Sequence, residues 1–277
     1  MKSFLNFSRF LFFITFSMLN GLLIESVLAG TLAVDMQLQA RRRRLFEPPT
    51  EEQDDDSRGG ASRSAEVKCA DDEVYQAPMT ALVPQSGLGL TVKPHPTLLV
   101  YVPATTSTRA HFTLKDAGNR GVYQAALPLS ATDGILQITL PADSPELLIG
   151  STYEWSLVLL CHSAQTDLPA ASGYIRRVEM TEEMTEEISE EIAAETIEER
   201  VTESSLLSAQ TVAYGQAGIW HDMLASLVAL KQAYPADRVL SDDWAELLQS
   251  ERLGAIANTP LLQMQNITET SLPSRSD

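Results

Sequence analysis

Seven prolines, Pro84, Pro94, Pro96, Pro103, Pro128, Pro141 and Pro145, interrupt the middle of this chain too often for a helix of ordinary length to form there. The runs between them are short, apolar and separated by turn signals, which is the spacing of an all-β sandwich. The clearest strand is S-T-Y-E-W-S-L-V-L-L-C at 151–161. Tyr153, Trp155, Leu157, Leu159 and Cys161 project from one of its faces, because extended backbone repeats every two residues. The opposite face, Glu154, Ser156, Val158 and Leu160, passes from polar to apolar, as expected of a strand entering an interior.

Six further strands are expected, at Leu88–Val92, Leu98–Val102, Ala110–Lys115, Val122–Leu127, Ile135–Leu140 and Gly173–Val178. Asp116–Gly121, with two glycines, makes a hairpin of the third and fourth of these. Ile135–Leu140 alternates, whereas Leu98–Val102 is continuously apolar. The expected fold is α+β and multi-domain, with an immunoglobulin- or fibronectin-like antiparallel β-sandwich over 67–178 followed by a small helical module.

Residues 1–29 read as a secretory signal peptide. Lys2 and Arg9 supply the positive start, Phe10–Leu23 the apolar core, and Val27-Leu28-Ala29 a cleavage site after Ala29. The alternative is an uncleaved anchor, since Phe4–Leu23 approaches the length of a membrane-spanning helix, and the membrane is a partner only in that case. Export to the periplasm or the extracellular space places Cys69 and Cys161 in an oxidising compartment, where they can pair. Closing a loop of roughly 90 residues contributes about 4–5 kcal/mol on the chain-entropy model.

Residues 30–66 read as a disordered, charged linker. Arg41–Arg44 form a basic block, Glu51–Asp56 contain an acidic one, and Ser57–Ser64 are rich in Gly, Ser and Arg, so little can offset the entropy of ordering. The formal net charge of the 277 residues is −17, which argues against a nucleic-acid partner.

Residues 179–203 form an acidic helix or spacer in which T-E-E-M, T-E-E-I and S-E-E-I follow one another. Steps of four advance about 40° around a helix, so Met184, Ile188 and Ile192 spiral instead of facing one side. Helices follow over 204–255. Trp220, Met223, Leu224, Leu227, Leu230 and Tyr234 share one face, Gly218 separates this helix from one ending near Tyr214, and Pro235 stops it. In the next helix Trp244, Leu247 and Leu248 share a face, Ser241 before Asp242 and Asp243 suits its start, and Gly254 its end. Residues 256–277 read as a flexible tail.

The helix pair resembles a tetratricopeptide repeat. Tyr214, Gly218, Trp220, Leu227, Leu230 and Pro235 stand at its spacing, while Thr211 replaces its usual glycine and Met223 its usual alanine. Only about one and a half repeats are present, too few for a superhelical groove.

Longer runs carry a further resemblance. A-L-V-P at 81–84, G-L-T-V-K-P-H-P-T at 89–97, Y-V-P at 101–103, Y-E-W-S-L-V-L-L-C at 153–161, G-I-W-H-D at 218–222 and W-A-E-L-L-Q-S at 244–250 are similar to domain-of-unknown-function family 928. The resemblance spans about 67–255 and is interrupted by the acidic insertion near 180–200, where the family has a shorter connection. It implies an exported protein, as members of that mainly cyanobacterial family are, with paired cysteines and a two-part architecture. The family has no established activity and supplies no catalytic residue.

Local motifs supply none either. His95, His111, His162 and His221 lack the close spacings of zinc sites, and there is no G-x-S-x-G, Walker loop or G-x-G-x-x-G. His221 beside Asp222 lacks a nucleophile, and Asp222 suits a helix start. The expectation is therefore a non-enzyme without cofactor or metal, an interaction or scaffold protein of the cell envelope whose partner is another envelope protein. Trp220, His221, Asp222 and Trp244 are the candidate interaction residues. The alternative is a glycan-binding sandwich that uses Tyr101, Tyr123 or Tyr174 as a stacking platform.

Overall fold

The strand TLLVYV at Thr97–Val102 (β3) is buried along almost its whole length, on both faces. It lies in a sheet with both faces covered, which a continuous apolar run predicts. The computed structural model describes residues 45–49, 67–75, 77–162, 165–195, 203–262 and 265–266. The signal segment and most of the expected linker lie outside these residues. All of the described residues belong to one compact unit, Leu45–Asp277.

The other strands are β1 (Thr80–Ala81), β2 (Leu88–Thr91), β4 (Arg109–Asp116), β5 (Gly121–Pro128), β6 (Gly134–Thr139), β7 (Thr152–Leu159), β8 (Ala170–Arg177) and β9 (Gln265–Asn266). They form a four-stranded sheet in the order β1-β3-β6-β9 and a five-stranded sheet in the order β2-β8-β7-β4-β5. Pairing is antiparallel except between β2 and β8 and between β6 and β9, which run parallel. Each of the seven expected strands is present within a few residues of its expected ends. Only β1 and β9, two residues each, were not foreseen.

One core lies between the sheets. Leu98, Val100 and Val102 from β3 and Leu136 and Ile138 from β6 pack with Phe112, Leu114, Ala125, Leu127 and the β7 face Tyr153, Trp155, Leu157 and Leu159. Of the five residues expected on one face of β7, Tyr153, Trp155, Leu157 and Leu159 are buried, while Cys161 lies past the end of the strand and is partly buried. Cys69 and Cys161 are bonded across 92 residues, with Cα atoms 5.4 Å apart, and the bridge packs at the margin of this core.

Four helices follow among the described residues: α1 (Glu182–Glu195), α2 (Glu203–Gln216), α3 (Trp220–Ala233) and α4 (Arg238–Ser250). Gly218, at φ +71°, makes the turn between α2 and α3, a conformation that glycine adopts without a Cβ penalty. Helices α3 and α4 bury their apolar faces on the far side of the four-stranded sheet. Leu82, Leu99, Tyr101 and Ile135 there meet Trp220, Met223, Leu224, Leu227, Val228, Trp244, Leu247 and Leu248. The four-stranded sheet is thus the middle layer, with the five-stranded sheet on one face and helices on the other.

This layering corrects the alternation expected for Ile135–Leu140. Both faces of β6 are buried, and Gln137, which interrupts the apolar run, donates its amide N–H to the Leu262 carbonyl at 3.3 Å. The start of α4 also differs. Its N-cap is Asp237, whose carboxylate accepts from the Val239 and Leu240 amides, and Ser241 lies inside the first turn with its hydroxyl donating to the Asp237 carbonyl. The helix ends at Ser250, and Arg252 at φ +61°, not Gly254, takes the left-handed turn that follows.

Two segments expected to be loose are held. Phe46 is buried, its ring edge-on to Trp220 at 4.8 Å, and the Glu47 amide donates to the Gly215 carbonyl at 3.0 Å. In the expected tail, Ile256 is buried, the Ile135 amide donates to the Pro260 carbonyl, and the Leu262 amide donates to the Ile135 carbonyl. The chain continues into β9 along β6.

Candidate functional site

Helix α3 begins with W-H-D, and its first turn meets the end of β2. The glycine at position 89 and the threonine at position 91 set the geometry of this joint. A Cβ built on Gly89 would lie 2.7 Å from Cδ2 of His221, so no larger residue fits while the imidazole stays in place. One residue further, Asp222 Oδ2 accepts from the Thr91 hydroxyl at 2.8 Å and from the Val92 amide at 2.9 Å. Lys93 Nζ stands 3.6 Å from the other carboxylate oxygen. The Trp220 indole N–H donates to the Leu82 carbonyl at 2.8 Å. Three consecutive side chains of α3 therefore address three separate points of the sheets.

The four candidate interaction residues are all interior. Trp220, His221, Asp222 and Trp244 are each 2% exposed or less, so none can contact another molecule while this joint is intact. Trp244 closes a second contact, donating its indole N–H to the Ala257 carbonyl at 3.1 Å, with Lys231 Nζ 5.9 Å from its ring centroid. The sequence pattern marks these residues because the fold needs them to join helix to sheet.

The electrostatics of the joint do not make a His-Asp dyad. Among the described residues neither ring nitrogen of His221 has a hydrogen-bond partner, and burial pushes the imidazole down to about 3, so it is neutral near pH 7. Burial raises Asp222 above the usual carboxylate range, opposed by Lys93 and by the hydrogen bonds from Val92 and Thr91. The carboxylate is occupied by β2 and does not orient His221. Of the other histidines, His95 Nε2 lies 3.0 Å from the Ser144 carbonyl and His162 Nε2 lies 3.2 Å from the Thr106 carbonyl, as loop residues.

The tyrosine platform is not formed. Tyr101 is buried against the helices and Tyr123 between the sheets, while Tyr174 lies half-buried on the outer face of the five-stranded sheet. The three rings share no face.

Asp72, which no local motif marks, is a second polar knot beside the disulfide. Its carboxylate accepts from the Tyr75, Thr105 and Thr106 hydroxyls and from the Thr106 amide, and its own amide donates to the Cys69 carbonyl. Burial alone would raise its pKa, but these hydrogen bonds together hold the carboxyl below its usual range. Tyr75 is pushed up to about 12 by its own burial and by the adjacent carboxylate. The bonds from Thr105 and Thr106 tie the disulfide segment to the β3–β4 loop, and those with Tyr75 and Cys69 fold the segment on itself.

Two adjacent exposed apolar side chains lie at the other end of the sheets. Leu148 and Ile149 are 65% and 55% exposed on the loop before β7. That loop is braced: the Leu147 amide donates to the Pro94 carbonyl, Arg177 Nη1 donates to the Leu147 carbonyl at 2.7 Å, the Leu148 amide donates to the Tyr153 hydroxyl, and the Gly150 amide donates to the Arg177 carbonyl. Beside it lies an open cleft of about 680 Å³, lined by Asp116, Arg120, Val122, Glu146, Leu148 and Tyr153 among others.

The family model described as Domain of Unknown Function (DUF928) matches residues 58–261, which takes in β1–β8, all four helices and both halves of the joint. No curated protein matches the chain.

Proposed function

Because the chain belongs to the DUF928 family, whose description names no activity, we propose its function from the geometry alone: an exported, non-catalytic interaction or scaffold protein of the cell envelope. The observation that carries this reading is the Leu148–Ile149 pair, held out in solvent on a backbone fixed by Arg177 and Tyr153. Apolar side chains on a preorganised loop lose little entropy on docking and are typical anchors of protein interfaces. The polar clusters at Asp222 and Asp72 support the same reading, since their hydrogen bonds are used to join elements of the fold. The Cys69–Cys161 bond favours an oxidising compartment, and none of the described helices is long and apolar enough to cross a membrane.

Within this reading the two sheets are an immunoglobulin-like sandwich. The order β1-β3-β6 facing β2-β8-β7-β4-β5, with β2 parallel to β8, favours that topology. The succession α2, Gly218, α3, Pro235 supports a tetratricopeptide-like hairpin. Its departures are accommodated, since the Thr211 hydroxyl donates to the Leu207 carbonyl in its own helix and Met223 is fully buried.

The test is capture from an envelope extract by the wild-type protein and by Leu148→Ser/Ile149→Ser. Proteins retained by the wild type and lost with the variant support the proposal. An identical set with both, or none with either, overturns it.

A further inference from the structure

Tyr101 carries one polar atom that the packing of its ring does not use. The ring lies in the core with Leu99, Ile135 and Trp220, and the residue is 3% exposed. A phenylalanine would fill the same space. Among the described residues the hydroxyl has no hydrogen-bond partner. Tyr101 lines a notch of about 190 Å³ at the end of β3, together with Glu73, Val74, Tyr75, Pro103 and Asp133 among others. Its phenol is raised above the usual range, first by burial and then by the Asp133 carboxylate, which sets that carboxylate on the hydroxyl's side of the notch.

The neighbouring polar groups are already engaged. Lys68 donates its ammonium to the Asp72 carbonyl, and Tyr75 donates its hydroxyl to the Asp72 carboxylate. Neither Glu73 nor Asp133 is in an ion pair among the described residues. Two carboxylates and one phenol oxygen are thus left around the notch, all able to accept. Val74, 86% exposed, adds an apolar wall at its rim.

We propose that this notch binds the ammonium or guanidinium head of an organic cation on an aliphatic stem, with Glu73, Asp133 and the Tyr101 hydroxyl accepting its N–H groups and Val74 lying along the stem. Three acceptors match the three donors of an ammonium, and hydrogen bonds between opposite charges are the strong ones. The volume admits one such head group and little more. A calcium ion is a poor match, since it takes about six to eight oxygens, and no metal-holding group of three or more His, Cys, Asp or Glu occurs among the described residues. The notch lies at the Val102–Gly134 end of the β3–β6 pair, away from the Leu148–Ile149 loop, and does not rest on that loop's role. The cation comes either from a free alkylamine or from a basic side chain of another polypeptide.

The measurement is an NMR titration of the isotope-labelled full chain, following the amide signals of Val74, Ala104 and Asp133. The probes are n-butylamine, n-butanol as its neutral counterpart, and an N-acetylated, C-amidated Gly-Lys-Gly peptide. The cations shift these signals saturably and n-butanol does not. Tighter binding of the peptide than of n-butylamine identifies a polypeptide side chain as the ligand, and the reverse order identifies a free amine. Tyr101→Phe, which keeps the ring, and Asp133→Asn each weaken binding about tenfold or more. Glu73→Gln, at an exposed position outside the core, weakens it as well. No saturable shift with either cation would overturn the inference. So would n-butanol acting as n-butylamine does, or binding that Tyr101→Phe or Asp133→Asn leaves unchanged.

Discussion

Gly89 of β2 lies directly against the buried ring of His221 on α3, and the space that a side chain at 89 would occupy is filled by that imidazole. The two residues are 132 positions apart in sequence, yet they meet at the seam between strand and helix. Overpacking such a seam destabilises by about 1–3 kcal/mol, so Gly89→Ala lowers the urea midpoint of unfolding. The same substitution made in His221→Ala has little effect, because the clash is gone. Urea denaturation of the two single variants and the double variant measures this coupling, and additive effects would count against the contact.

Acid acts on the joint through the same histidine. The folded imidazole titrates at about 3 and an unfolded one near 6.5, so the unfolded chain binds the proton first. Stability from the neutral ring is complete above pH 6.5 and is lost as pH falls towards 3, by about 1.4 kcal/mol per pH unit. Asp222, raised above its usual value, works in the opposite sense: its contribution is present below about pH 3.8 and is lost as pH rises through its folded value. Lys93 Nζ, 3.6 Å from the Asp222 carboxylate, is the other charged group at the joint. Comparing wild type with His221→Leu isolates the histidine. The variant has a flatter stability profile between pH 6.5 and 4, and equal slopes for the two proteins would refute the assignment.

Phe46 lies upstream of the sheets and packs edge-on to Trp220. Phe46→Ala removes a buried aromatic ring and lowers stability by about 3 kcal/mol, measured by urea unfolding. A change within a few tenths of a kcal/mol would show that residues 45–49 do not belong to the folded core.

Local patterns in the sequence carry much of this fold. The alternation of Tyr153 to Leu159 predicts one buried face, and the unbroken Leu98–Val102 run goes with two. Gln137 hides the second buried face of β6, because its partner, the Leu262 carbonyl, is 125 positions away. Ser241-Asp242-Asp243 imitates a helix start, but Asp237 one turn earlier reaches the free amides first. The candidate site was the least legible part. Trp220, His221 and Asp222 stand out as a cluster of functional-looking side chains, but their partners at Leu82, Gly89 and Thr91 are fixed by topology and leave no local periodicity. Asp72 and the Leu148–Ile149 loop were missed for the same reason, as both depend on hydrogen bonds from distant loops and strands.

The four-stranded sheet and helices α3 and α4 share one core, and the joint of Gly89 and Thr91 with α3 ties β2 to the same helix, so sheets and helices are expected to unfold as one body. Native-state hydrogen exchange in rising urea tests it most directly, following the amides of Leu157 in β7 and Leu224 in α3. Both amides are expected to lose protection in a single transition with the same free energy. Loss of protection at Leu224 in a separate, earlier transition, with Leu157 still protected, would contradict it.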